Sequence, residues 1–189
     1  IKKCPLESRM INAIADQRYT GLEITPKVGF ADIGNRKIIP SDYTLTYSNN
    51  RDVGQGAVKV SATEQGNYSG EVIVYFNITK ASYDMSKAKW SSDAGFIYDG
   101  TEKIRSVSGL PDGVTVASYL NNQKVHAGNY TASVVFNYDS ANYEKPELTD
   151  KIWSIGKRSV TIKSHSASKA FDGTPLVKHG VDVISGSFV

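Results

Sequence analysis

Apolar and polar residues alternate strictly in several stretches of the chain. Between Tyr43 and Tyr47, the residues Tyr43, Leu45 and Tyr47 share one face and Thr44 and Thr46 take the other. Val58, Val60 and Ala62 alternate with Lys59, Ser61 and Thr63, and Val72, Val74, Phe76 and Ile78 alternate with Glu71, Ile73, Tyr75 and Asn77. A period of two puts each set on one side of a sheet. This predicts strands with Val58, Val60, Val72, Val74 and Phe76 pointing inward, and further along Tyr130, Ala132, Val134 and Phe136. No stretch of helical period is long enough to predict a helix. Residue usage agrees, with 11 Tyr, 6 Phe and 16 Gly beside many Val, Ile, Thr and Ser. The pattern predicts an all-β protein.

The pattern also repeats. Ile-x-Lys occurs at Ile1-Lys2-Lys3, Ile78-Thr79-Lys80 and Ile155-Gly156-Lys157, at one constant step. Other features recur in the same order. Tyr47-Ser48-Asn49-Asn50 corresponds to Tyr119-Leu120-Asn121-Asn122, Asp52-Val53-Gly54 to His126-Ala127-Gly128, and Gly66-Asn67-Tyr68 to Ala141-Asn142-Tyr143. An aromatic followed by a turn appears three times, as Tyr19-Thr20-Gly21, Tyr98-Asp99-Gly100-Thr101 and Phe171-Asp172-Gly173-Thr174. Glycine there accepts a positive φ, and the Asp side chain can bond its own backbone. The repeat predicts residues 1–3 as the tail of a preceding module, 4–80 and 81–157 as two modules, and 158–189 as the opening of a third. Such a chain reads as a slice of a longer array. The junctions after Lys80 and Lys157 lack the Gly/Pro content of flexible linkers, so modules are expected end to end.

Composition narrows the function. Of 189 residues, 40% are hydrophobic and 22% charged, as in folded domains, and the net charge of +3 is too small to point to nucleic acid. No apolar run has membrane-spanning length, and no signal-peptide core is visible at the start. Cys4 is the single cysteine, so no disulfide forms within the chain, and no histidine is placed near it in sequence for nucleophilic chemistry.

The run Ile14–Pro26, with Asp42–Asn50 and Gly66–Gly70, resembles the Ig-like repeats of bacterial cell-surface proteins. Tyr98–Thr101, Gly109–Val114 and Ala127–Thr131 resemble the related Tyr-Asp-Gly type, the MBG or YDG domains, and Phe171–Leu176 looks like the start of another. The first unit departs from that type in having Thr20 where the others have Asp. The resemblance implies tandem Ig-like β-sandwich modules, with a β-grasp-like variant as the alternative. It further implies an extracellular, surface-anchored bacterial protein serving as a spacer or adhesin stalk. Neighbouring repeats and host glycans or glycoproteins are its implied partners. The family carries no catalytic residues, so no enzyme activity and no cofactor are expected.

Candidate chemistry is sparse. His126, His165 and His179 lack zinc-ligand spacing, and Asp99-Gly100, Asp112-Gly113 and Asp172-Gly173 read as turns, not calcium loops. Sequons at Asn67, Asn77 and Asn129 occur at chance frequency. Asp139 and Glu144 flank a polar loop, which does not suggest glycosidase chemistry. An isopeptide at Asn77 would need a neighbouring acid that the sequence does not identify. Tyr43, Tyr47, Tyr68, Tyr119, Tyr130 and Tyr143 recur at matching repeat positions, which is what packing demands. A ligand would instead be met by loops, with Asn49, Asn50 and Arg51 in one module and Asn121, Asn122 and His126 in the next. Three roles follow: a structural spacer, a carbohydrate- or mucin-binding module, and an accessory β-domain of a secreted enzyme.

Overall fold

The computed structural model describes residues 2–31, 34, 37–92 and 95–189. Ile1, which opens the first Ile-x-Lys tripeptide, lies outside them. The described residues are all-β, with short 3-10 turns at Ser8–Met10 and Pro40–Asp42 and no α-helix. They divide into two compact units. Unit 1 is residues 1–84 with 111–114 and 138–146, and unit 2 is residues 85–110, 115–137 and 147–189.

Unit 1 holds β1 (Cys4–Pro5), β2 (Gln17–Arg18), β3 (Tyr43–Ser48), β4 (Gly54–Ala62), β5 (Tyr68–Ser69) and β6 (Glu71–Thr79). A mixed sheet runs in the order β2-β6-β4-β3, with β4 antiparallel to both neighbours and the short β2 parallel to β6. The predicted register holds. Val58 and Val60 are fully buried, Phe76 and Ile78 are buried, Val72 and Val74 are half-buried, and Ile73 and Tyr75 face solvent. Val60 packs with Leu6, Met10, Ile11, Ile38 and Tyr68, while Phe76 and Ile78 pack with Ile24. Burying a side chain the size of Phe76 stabilises by about 1.5–3 kcal/mol. Its ring lies over Gly56, its partner across β4 and β6, where a Cβ would stand 2.5 Å from the ring tip.

Unit 2 holds β7 (Lys89–Trp90), β8 (Phe96–Ile97), β9 (Lys103–Ile104), β10 (Val107–Ser108), β11 (Thr115–Leu120), β12 (Gln123–Lys124), β13 (Gly128–Asn137), β14 (Lys151–Gly156), β15 (Thr161–Ser164) and β16 (Val181–Ser185). Its main sheet runs β8-β14-β13-β11, with the short β8 parallel to β14 and a bulge in β11 between Val116 and Ser118. Ala132, Trp153 and Ile155 form the core, ringed by Trp90, Phe96, Tyr98 and Tyr130. Of the residues expected inward, Ala132 and Phe136 are buried, and Tyr130 and Val134 only half so. Residues 158–189 form the β15–β16 hairpin and a turn, with exposed side chains apart from Val160.

The two main sheets share order and sense, and both curl into half-barrels. The repeat is kept where the closing strands pair: Gly54 faces Ile78 as Gly128 faces Ile155, and Val58 faces Val74 as Ala132 faces Lys151. On the other side the register differs by two residues, because Tyr47 faces Val58 whereas Tyr119 faces Val134, two beyond Ala132. Tyr19 N donates to Thr79 O and Tyr98 N to Gly156 O, each at 2.9 Å. Cys4 N donates to Asn67 O and Ala81 N to Asn142 O, each at 3.0 Å. These bonds make Tyr68 and Tyr143 equivalent, as the sequence repeat requires; Tyr130, expected to recur in the same way, does not, because Gly56 holds its place in unit 1, facing Phe76 as Tyr130 faces Trp153.

Candidate functional site

The loops leaving β3 and β11 are built alike. Asn49 and Asn121 sit in the left-handed region at φ 49° and 53°, where Asn is among the few residues tolerated. The next residue closes a reciprocal pair. Ile24 N donates to Asn50 O at 2.7 Å and Asn50 Nδ2 returns to Ile24 O at 3.1 Å. Arg105 N donates to Asn122 O at 2.7 Å and Asn122 Nδ2 returns to Arg105 O at 2.9 Å. Asn121 O accepts from Trp153 Nε1 at 3.2 Å. Asn49 and Asn121 thus hold the turn, and Asn50 and Asn122 tie it to the facing chain.

What these loops offer to solvent differs. In unit 1, residues 49–55 line a shallow cleft of about 370 Å³, with Arg51 and Asp52 exposed at its rim. In unit 2 the loop is two residues longer, and the extra length forms β12, paired with β9. There His126 is exposed and stacks over Tyr98, ring centroids 6.4 Å apart, while its carbonyl accepts from Tyr130 Oη at 2.7 Å. The structure therefore gathers Asn49, Asn50 and Arg51 about one cleft, and groups Asn121, Asn122 and His126 in one loop of unit 2.

The aromatic turns follow one scheme with two chemistries. Gly21, Gly100 and Gly173 have φ of 80°, 79° and 76°. Asp99 Oδ1 accepts from Thr101 N at 2.9 Å and Thr101 Oγ1 at 2.6 Å, and Asp172 Oδ1 accepts from Thr174 N at 3.0 Å and Thr174 Oγ1 at 2.8 Å. Each carboxylate also binds a lysine, Lys103 or Lys169. In the first turn Thr20 Oγ1 replaces the carboxylate and accepts from Leu22 N at 3.3 Å. The hydrogen bond from Lys103, then those from Thr101, hold the Asp99 carboxyl well below the usual range. Lys169, then Thr174, pull Asp172 down to about 2.

In unit 1 the first aromatic turn and the 51–53 loop meet the segment 138–146. Val53 N donates to Asn142 Oδ1 at 2.9 Å, and Lys80 Nζ donates to Ser140 O at 2.7 Å. The Tyr143 ring stands edge-on to Tyr19 at 5.4 Å and stacks on Tyr83 at 4.0 Å. Asp139 shapes the segment by accepting from the Ala141 amide and from the amide and side chain of Asn142, which lowers its pKa, the Asn142 side chain acting most.

Two residues carry more than the sequence suggested. Asp42, 2% exposed, accepts from Ile39 N and Asn67 N, each at 3.0 Å, and from Asn67 Nδ2 at 3.3 Å. The Asn67 and Ile39 amides, in that order, hold its carboxyl below the usual range against the opposing effect of burial. Arg105, 3% exposed, takes the place that Ile24 has in unit 1, its guanidinium 4.5 Å from the Phe96 ring centroid and 5.5 Å from that of Trp153. Asn77 does have an acid beside it, donating to Asp16 Oδ1 at 3.0 Å. Both residues are exposed, whereas keeping such an acid protonated takes a dry site. Among the described residues no group of three or more His, Cys, Asp or Glu could hold a metal ion. No protein-family model matches the chain, and comparison with curated proteins and with solved structures found no match.

Proposed function

We propose that the chain is a run of non-catalytic β modules from an exported bacterial surface protein, acting as a spacer or stalk in adhesion. The observation that carries this reading is the reuse of one bonding scheme in both main sheets, down to the reciprocal asparagine pair. Residues that recur at equivalent positions are spent on packing and turn closure, as in repeat arrays whose units serve as building blocks. The order of the two main sheets supports Ig-like modules. A short parallel edge strand beside the closing strand, followed by the two preceding long strands, suits one face of such a sandwich. A β-grasp-like arrangement is the alternative fold.

A second reading, binding of a host glycan or mucin glycoprotein, draws on the open cleft at residues 49–55 and the exposed His126 beside Tyr98. Screening the whole chain against a glycan array and immobilised mucin separates the two. The spacer reading expects no saturable binding. Micromolar binding lost on Arg51→Ala or His126→Ala would overturn it in favour of the adhesin. An accessory role beside a secreted enzyme would require a catalytic domain in the same gene.

A further inference from the structure

Unit 1 contains a filled socket, and unit 2 contains a counterpart walled by residues at the equivalent positions. In unit 1 the socket is made by Tyr19, Val53, Lys80 and Ala81, and the loop Asp139–Tyr143 fills it. Val53 N and Lys80 Nζ bind Asn142 and Ser140, Ala81 pairs with Tyr143, and the Tyr19 ring meets the Tyr143 ring. The register equivalences carry these four wall residues onto Tyr98, Ala127, Lys157 and Arg158 in unit 2. Those same four residues line a cleft of about 440 Å³, with Val160 and the segment 187–189 completing it.

We propose that this cleft is a docking socket for an Asp-x-x-Asn-Tyr loop of a further module of the same kind. The inference rests on the repeat-array reading above and deepens it by naming the partner chemistry. The incoming Asn side chain takes the Ala127 amide as Asn142 takes that of Val53. The backbone carbonyl two residues before that Asn takes Lys157 Nζ, as Ser140 O takes Lys80 Nζ, and the Tyr ring that follows the Asn lies edge-on to Tyr98. Arg158 stands where Ala81 stands in unit 1, so the socket also tolerates an acidic residue next to the Tyr, where Glu144 follows Tyr143 in the first pair. The specificity lies in an amide donor and an aromatic edge held a fixed distance apart, which a loop lacking either group cannot satisfy.

The test is an amide-shift titration of the whole chain with a synthetic peptide of residues 138–146. It runs to about 5 mM, the effective concentration a short tether would supply. The expected result is saturable shifts at Tyr98, Ala127 and Arg158. None is expected at Val53, whose socket is already held by its own loop. A peptide carrying Asn142→Ala, and a chain carrying Tyr98→Ala, should each lose the effect. Absent shifts, shifts spread over the surface, or shifts indifferent to Asn142→Ala overturn the proposal while leaving the spacer reading intact. Conversely, micromolar glycan binding that spares Tyr98 and Ala127 would overturn the spacer reading and leave the socket standing.

Discussion

The contact between Phe76 and Gly56 predicts a coupling that can be measured. Gly56 is buried in β4 directly across from Phe76, and a Cβ there would meet the ring at 2.5 Å, 2.8 Å and 3.0 Å. The ring belongs to the Ile24–Ile78 cluster and cannot swing away without opening it. Gly56→Ala should therefore cost about 1–3 kcal/mol through overpacking. Phe76→Ala alone should cost about 3–5 kcal/mol, from lost transfer energy and the cavity left behind. In the double variant the new methyl enters the vacated space, so the clash disappears and the second substitution becomes nearly neutral. The interaction energy should reach about 1–3 kcal/mol, favouring the double variant. Both tryptophans, Trp90 and Trp153, lie in unit 2, so their fluorescence does not report on this site. Hydrogen exchange of the Val58 and Val60 amides does, because strand opening exposes them. Additivity within about 0.5 kcal/mol would refute the packing argument.

Four further outcomes are expected. Asn49→Gly should leave unit 1 within about 0.5 kcal/mol of the parent, whereas Asn49→Val should cost about 1–2 kcal/mol for a β-branched residue at positive φ, both read by urea denaturation followed by exchange. Asp42→Ala should cost unit 1 at least about 3 kcal/mol, because two backbone amides lose a charged acceptor worth about 1.5–3 kcal/mol each. The Asp42 carboxyl ionises more readily folded than unfolded, so its contribution is complete above about pH 4 and fades as pH falls toward its native pKa; an acid titration of stability should lose that slope in the Asp42→Ala chain. Arg105→Ile should be close to neutral by thermal unfolding monitored through Trp153, since Ile24 fills the equivalent place in unit 1, while Arg105→Ala should be clearly destabilising.

The long strands were legible because alternation is a direct imprint of a half-buried sheet. β3, β4 and β6 appear where Tyr43, Val58 and Val72 open their runs, with the expected faces inward. The repeat was legible too, since Asn49 and Asn121 hold the same left-handed turn, which few residues other than glycine tolerate. The sequence placed Asn49, Asn50, Asn121 and Asn122 in loops, but did not show the work these asparagines do. Asn50 and Asn122 bind Ile24 and Arg105, partners distant in sequence that no local pattern names. The same limit applies to Asp42 and Arg105. A charged side chain reads as solvated until folding supplies amides or aromatic faces around it. The two-residue strands β2 and β8 are too short to carry a period, and their parallel partners lie far along the chain.

That parallel pairing has a mechanical consequence. The entering strand β2 and the closing strand β6 run in the same direction, as do β8 and β14. Tension pulling back on the start of β2 and forward on the end of β6 slides one strand lengthwise along the other. The bonds joining Gln17, Arg18 and Tyr19 to Ile78 and Thr79 are then strained together instead of being unzipped one at a time. A chain pulled from its ends thus meets a small clamp at each of these strand pairs.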